Sequence, residues 1–234
     1  MMTESTNILI LVPAYNESER LQPVVEAALQ YGPVLVIDDG STDDTVQVAR
    51  AAGAEVLLQS PNQGKGAALR AGFRRALEQE VDAVITLDAD GQHDTDEIPL
   101  FLDAFAERQG DLIIGARDFS QMPFARRLAN TSGTWLFSWA LGQRVQDNQS
   151  GYRLVSRRLM EYVLLSKEEG FEFEVEMIVD CVRGGFKMDW VGIRTIYAGE
   201  TSHIQPWKHT IKFLKLVIRT RRSRSANLSR EVLS

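Results

Sequence analysis

Two aspartates spaced i, i+2, Asp88 and Asp90, follow the apolar run Ala83-Val84-Ile85-Thr86-Leu87 and precede Gly91-Gln92-His93. Strand side chains alternate between faces, so positions i and i+2 share one. Where such a strand stops and the backbone turns, both carboxylates can converge on one point. Two anionic oxygens with the amide oxygen of Gln92 form a donor set suited to Mg2+ or Mn2+. Those ions keep coordination positions for water and substrate phosphate. Asp and Gly are also common turn residues, and taken alone the segment reads equally well as a turn. The remainder of the chain decides.

The elements that must position these residues alternate through the first half. Strand-like runs are Ile8–Val12, Val34–Ile37, Glu55–Leu58, Ala83–Leu87 and Leu112–Ile114. Helix-like stretches lie between them, at Ser18–Tyr31, Thr42–Ala52, Gly64–Gln79 and Asp94–Arg108. Alternation with continuous apolar strands predicts a parallel sheet covered on both faces. Asn16-Glu17-Ser18-Glu19 and Ser41-Thr42-Asp43-Asp44 are candidate helix starts, and Gly53 and Gly110 candidate helix ends. From Asp118 the alternation is lost. A helix over Arg126–Leu141, a loop over Gln146–Gly151, a helix over Glu172–Val182 and strands over Met188–Val191 and Ile193–Tyr197 are expected there. No Pro/Gly/Ser-rich linker divides the halves, and no internal repeat is present.

The chain has 234 residues, 44% hydrophobic and 25% charged, room for one large α/β domain. Its single cysteine, Cys181, rules out an intrachain disulfide and reads as a small buried hydrophobe in an apolar helix. The opening residues are polar, and no stretch approaches the roughly 18 apolar residues of a membrane span. A cytoplasmic protein is therefore expected, with peripheral attachment to the inner membrane face as the extension of that reading. The net charge of −6 is unevenly spread. Of 26 Lys/Arg, seven lie between Trp207 and Arg224, where there is no Asp or Glu, so the rest carries 19 basic against 32 acidic residues. A basic tail invites an anionic partner, and the acidic body argues against nucleic acid.

Four further clusters fall where strands should end, the edge at which open α/β sheets bind ligands. They are Pro13-Ala14-Tyr15-Asn16-Glu17, Asp38-Asp39-Gly40-Ser41, Asn62-Gln63-Gly64-Lys65-Gly66 and Gly115-Ala116-Arg117. Together they suit a nucleotide. Asp39 or Glu17 can accept from ribose hydroxyls or base N–H groups, and Tyr15 offers its ring to the base. Gly64 and Gly66 admit close backbone approach, while Lys65 is either a point charge for phosphate or a solvated helix-start lysine. Neither a G-x-G-x-x-G after the first strand nor a Walker sequence is present, which disfavours dinucleotide and P-loop sites.

Taken in order with Asp88-Ala89-Asp90-Gly91-Gln92, these motifs resemble the signature of family 2 inverting glycosyltransferases with the GT-A fold. The resemblance runs over roughly Asn7–Arg219, and the nearest subgroup looks like the dolichol-phosphate mannosyltransferase-like enzymes that glycosylate polyprenyl phosphates. The resemblance implies an α/β nucleotide-diphospho-sugar transferase fold: a mostly parallel central sheet with helices on both faces, then an amphipathic C-terminal helix. It implies a GT-A domain over 1–205, with a nucleotide-sugar half at 7–117 and an acceptor half at 118–205.

By position, it assigns Pro13, Ala14, Tyr15, Glu17, Asp39, Lys65, Asp88 and Ala89 to the donor, a GDP- or UDP-sugar. Asp88, Asp90 and Gln92 fall to the metal, Mg2+ or Mn2+. Asp90, Arg117 and Asp147 would be catalytic. Arg126, Arg127, Ser150, Arg153 and His203 would lie on the acceptor side. Gln149-Ser150-Gly151-Tyr152-Arg153, with Asp147 before it, matches the family's Asp-x-x-Ser-Gly-Phe-Arg segment with Tyr in place of Phe. The family's later phosphate-binding segment is altered here to Tyr197-Ala198-Gly199-Glu200-Thr201-Ser202-His203, without its lysine and arginine. His203 either replaces a phosphate contact or is a surface histidine.

A phosphate acceptor is already anionic and needs no general base, whereas an alcohol would need one, with Asp147 the candidate. Otherwise Asp147 braces its loop against Arg153. Trp207, Ile211, Leu214 and Ile218 form one apolar helical stripe beside Lys208, Lys212, Lys215, Arg219 and Arg222. A helix over 206–222 lying on an anionic lipid surface is expected, the alternative being a terminal helix packed on the domain. Residues 223–234 read as a disordered tail. Two other classes are weighed: a sugar-phosphate nucleotidylyltransferase, which would want a Gly/Arg-rich first loop, and a non-catalytic nucleotide-sugar-binding protein.

Overall fold

The structure, a computed structural model, describes residues 6–121, 124–165 and 173–194, apart from the side chains of 121–126 and 129. The strand expected over Ile193–Tyr197 beyond Arg194, the segment with His203, the helix 206–222 and the tail 223–234 lie outside the described residues. So do Glu172 and the side chain of Arg126.

The chain runs β1 (Ile8–Ala14), α1 (Leu21–Ala28), β2 (Val34–Asp38), α2 (Thr45–Ala51), β3 (Glu55–Leu58), α3 (Lys65–Glu78), β4 (Ala83–Thr86) and α4 (Ile98–Arg108). Then follow β5 (Leu112–Arg117), α5 (Phe124–Leu141), β6 (Arg153–Ser156), α6 (Arg157–Leu165), α7 (Phe173–Arg183) and β7 (Met188–Ile193). The described strands form one sheet in the order β3-β2-β1-β4-β6-β5-β7. Pairing is parallel except at β6, which is antiparallel to both β4 and β5.

Alternation within the strands sorts the core. Leu9, Leu11, Leu35, Ile37, Val84, Leu112 and Ile114 pack on one face against α3, α5, α6 and α7. Ile8, Ile10, Val12, Val36, Ile85 and Ile113 pack on the other against α1 and α4. Burial on both faces explains why these strands read as unbroken apolar runs.

Several boundaries differ from expectation. Helix α1 begins at Leu21, after a turn in which Arg20 N and Leu21 N donate to Glu17 O. Asn16 does not cap it. Asn16 takes a left-handed conformation (φ 54°), accepts from Thr42 N at 2.8 Å and donates to Ser41 Oγ at 2.9 Å, fastening the first loop to the second. Helix α2 starts at Thr45, because the Asp43 carboxylate holds the Thr45 N–H at 3.0 Å. The left-handed residue ending α4 is Gln109, not Gly110. The two strands expected near the end of the domain begin as one, since β7 runs through Gly192 to Ile193. Strand β6 and helix α6 were not anticipated at all.

Candidate active site

The site lies at the C-terminal ends of β1, β2 and β4. Backbone register sets it there: Ala14 pairs with Asp38, and Leu87 N donates to Leu11 O at 2.9 Å. Asp88 and Asp90 thus emerge two and four residues past the end of β4. One cleft is lined by all eight residues expected to hold the donor, Pro13, Ala14, Tyr15, Glu17, Asp39, Lys65, Asp88 and Ala89, together with Asp90 and Ala68.

Each loop has a local reason. Gly64 holds φ +90°, a conformation that leaves its N–H and that of Gln63 facing the Asp39 carboxylate, at 2.7 and 2.9 Å. Gln59 Nε2 donates to the same carboxylate at 2.7 Å. Asp39 therefore organises the glycine loop as well as lining the cleft. Tyr15, about half exposed, stands open at the rim.

At the centre is an ion cluster. Lys65 Nζ lies 2.5 Å from Asp88 Oδ1 and 2.8 Å from Glu174 Oε1. Burial opposes ionisation of Asp88, but the Lys65 ammonium outweighs it, with His93 and Arg153 adding to the effect. The carboxyl is held down at about 2. Burial likewise acts against charging Lys65, yet Asp88 and then Glu174 raise its pKa well above the usual lysine range. Glu174 is lowered by Lys65 and Arg153 against its own burial. The lysine is thus a cation fixed between two carboxylates at the cleft, although its side chain remains partly open to solvent.

His93 sits beneath, its Nδ1 accepting from Asp88 N at 3.2 Å and its ring stacked on Tyr152 at 4.9 Å. Burial lowers its pKa, so it serves as a neutral acceptor there. Glu17 pairs with Arg20 at 3.0 Å. Burial raises its carboxyl, Arg20 pulls the other way, and Asp90 adds to the rise.

Arg117, at the end of β5, is gripped by Asp147. Nε to Oδ2 is 2.6 Å and Nη2 to Oδ1 is 3.0 Å, a bidentate pair. Asp147 also accepts from Gln149 N and Ser150 N, and its side chain is almost wholly buried. Its lone pairs are occupied and face away from solvent, which suits positioning of Arg117 and not proton abstraction. The expected brace to Arg153 is therefore corrected: the partner is Arg117.

Arg153 is fully buried. It donates to Ser150 O at 2.8 Å and to Glu174 O, and burial brings its pKa down to about 10. It fastens the 147–151 loop to α7. Ser150 is buried too, while Arg127 is exposed on α5.

Sequence reasoning missed Glu174 and His93. Glu174 looked like an ordinary acid in the first turn of a helix, and only the packing of α7 beside α3 puts it on Lys65.

The residues present fit a hard divalent cation supplied with further ligands from outside. Among the described residues no group of three or more His, Cys, Asp or Glu could hold a metal alone. Asp88 and Asp90 share one cleft, and Gln92 N donates to Asp90 Oδ1 at 2.9 Å. A pair of carboxylates completed by substrate phosphate is the mode Mg2+ favours.

A mostly parallel sheet with helices on both faces, and carboxylates and cations gathered at its strand ends, is the GT-A fold of glycosyltransferases. The sequence profile of glycosyl transferase family 2 matches residues 9–167. The chain is 37% identical over 188 residues to glycosyltransferase AglJ of Haloferax volcanii, covering 77% of this chain and 60% of that one. It is 32% identical over 193 residues to an undecaprenyl-phosphate mannosyltransferase of Micrococcus luteus, covering 76% and 79%. In fold it is similar to glucosyl-3-phosphoglycerate synthase of Mycobacterium tuberculosis crystallised with uridine diphosphate (TM-score 0.71, 21% identity, 93% of this chain and 80% of that one). The chain belongs to glycosyl transferase family 2, and it is a glycosyltransferase.

Proposed function

We propose that this protein transfers a sugar, with inversion, from a nucleoside diphosphate sugar to a polyprenyl phosphate. The single observation carrying the reading is the cleft in which Tyr15, Glu17, Asp39, Lys65, Asp88 and Asp90 meet, with Arg117 held ready by Asp147. The names of the relatives support the acceptor class: polyprenyl phosphates recur among them, as in the mannosyltransferase of Micrococcus luteus and the polyprenol monophosphomannose synthase of Mycolicibacterium smegmatis.

The nucleoside lies along Pro13, Ala14, Tyr15, Glu17 and Asp39. Mg2+ or Mn2+ at Asp88 and Asp90, with Gln92 alongside, supplies Lewis-acid neutralisation of the leaving diphosphate when bound. Lys65 places a second, protein-borne positive charge against the same groups. Arg117 orients the acceptor phosphate, which is already an anionic nucleophile at neutral pH and requires no base. That fits a site in which Asp147 is fully engaged, and it disfavours the alcohol-acceptor alternative. Arg126 and Arg127, consecutive on α5, would meet the acceptor's charge. The sequence stripe of 206–222 would hold the protein at the anionic membrane surface where such an acceptor resides.

A screen of nucleoside diphosphate sugars against polyprenyl phosphates, with Mg2+ and Mn2+, tests the reading. Transfer of sugar to the lipid phosphate, abolished by Asp88→Asn and by Asp90→Asn, is expected. Transfer only to soluble alcohols would overturn the acceptor. Full activity of Asp90→Asn in metal-free buffer would overturn the metal.

A further inference from the structure

The Asp88 carboxylate, proposed above to hold the metal, already carries a cation. Lys65 Nζ stands 2.5 Å from Asp88 Oδ1 and 2.8 Å from Glu174 Oε1, so one ammonium bridges two acids. The chain leaves space for the pair: a Cβ on Gly151 would come within 3.0 Å of Lys65 Nζ and 2.9 Å of Asp88 Oδ2. The three side chains come from separate elements. Lys65 opens α3, Glu174 lies in the first turn of α7, and Asp88 follows β4. Lys65 and Asp88 both line the cleft, and the lysine side chain is 41% exposed, so the ammonium is not walled in.

We propose that Lys65 and the divalent cation compete for Asp88, that the diphosphate of the donor relieves the competition, and that Glu174 is a positioning residue which keeps the ammonium when the metal takes the carboxylate. The inference rests on the metal and donor reading proposed above. A divalent ion brought to Asp88 by itself meets the lysine at close range, and like charges repel more strongly the nearer they stand. A nucleoside diphosphate brings negative charge for both cations. Metal without diphosphate therefore binds weakly, metal with diphosphate binds well, and by linkage the metal tightens the diphosphate by the same factor. Glu174 acts through Lys65. Without this second acid the ammonium has Asp88 as its acid partner, and displacing it strands a charge in a partly buried place. With Glu174 present, the lysine keeps an ion pair at 2.8 Å when Asp88 is given up.

Mn2+ binding to the full chain, read by electron paramagnetic resonance with and without UDP or GDP, tests this. In the wild type, one of the two nucleotides should tighten Mn2+ about 10- to 100-fold. Lys65→Met removes the competing charge. Mn2+ without nucleotide should then bind about 5-fold or more tightly than to the wild type, and the effect of the nucleotide should shrink. Glu174→Gln leaves the ammonium on Asp88 and should weaken Mn2+ about 3-fold or more, while the Glu174 carbonyl still receives Arg153. The double variant Lys65→Met/Glu174→Gln loses one charge of each sign. It should again bind Mn2+ without nucleotide more tightly than the wild type, with the melting temperature reporting the fold. A cluster that merely ties α3 to α7 predicts the reverse sign, since loosening it loosens the site. Unchanged or weaker Mn2+ binding in either folded variant lacking Lys65 overturns the competition. Unchanged Mn2+ binding in folded Glu174→Gln overturns the role of Glu174. Wild-type protein that binds no Mn2+ with either nucleotide overturns the metal reading itself.

Discussion

Asp147 and Arg117 show how little of a residue's role lies in its own chemistry. Taken alone, the aspartate is a possible base and the arginine a surface cation. Paired at 2.6 and 3.0 Å, with two backbone N–H groups also on the carboxylate, they form a rigid unit that fixes the guanidinium, the arm proposed to orient the acceptor phosphate. Asp147→Asn retains the shape but loses the charge that fixes the guanidinium. Transfer to a phosphate acceptor should fall about 10- to 100-fold, because misplacement of a reacting group by about 1 Å costs on that order. Steady-state kinetics with circular dichroism would separate this from unfolding.

Cys181 gives a pH prediction at the same scale. Burial, reinforced by Asp111 and Asp180, pushes its thiol up to about 12. The native thiol should resist alkylation at pH 8 and react on denaturation. A raised pKa means the folded state binds the proton more tightly. The thiol's contribution to stability is therefore complete below its unfolded value of about 8.5 and is lost as pH climbs toward 12. Across that alkaline window the denaturant midpoint of the wild type should fall relative to that of Cys181→Ala, which carries no ionisable thiol.

Among the elements, the loop before β6 decides the geometry of the site. A Cβ on Gly151 would stand 2.9 Å from Asp88 Oδ2 and 3.0 Å from Lys65 Nζ. Thr86 Oγ1 holds the carbonyl of the same glycine at 2.6 Å, so the loop cannot retreat. Gly151→Ala should separate the lysine from the aspartate, lowering kcat/KM about 10-fold or more and destabilising the protein by roughly 1–3 kcal/mol through overpacking. Thermal melts and kinetics on one preparation check both.

The first five strands and the four helices between them were legible because each is an apolar run or stripe set off by turn residues. Strand β6 was not. Its sequence, Arg153-Leu154-Val155-Ser156, is short, begins with a cation and joins α6 without a turn. It is a strand because it fills the space between β4 and β5, where both neighbours supply backbone partners.

Across the whole molecule, charge is arranged in two zones. The acidic body carries a compact cluster of Lys65, Arg153 and Arg117 balanced by Asp88, Glu174 and Asp147, and the basic stretch after Trp207 is unbalanced. If the proposed lipid acceptor is right, vesicles containing anionic lipid should float the full chain and lose it as salt is raised. A chain ending before residue 206 should float far less. No helix of the described residues is long and apolar enough to cross a membrane.

By itself the sequence determined the fold class, the order of the motifs and their common edge. Apolar periodicity and turn chemistry are local, and in a parallel sheet strand ends share one side by construction. Only the tertiary structure decided the partnerships. Lys65 on Asp88 and Glu174, Asp147 on Arg117 and the closing of Asp39 by Gln59 join residues 20 to 109 positions apart. Such contacts are selected by the packing of α7, α3 and the 147–151 loop against one another, a condition on the assembled core that no stretch of chain carries alone.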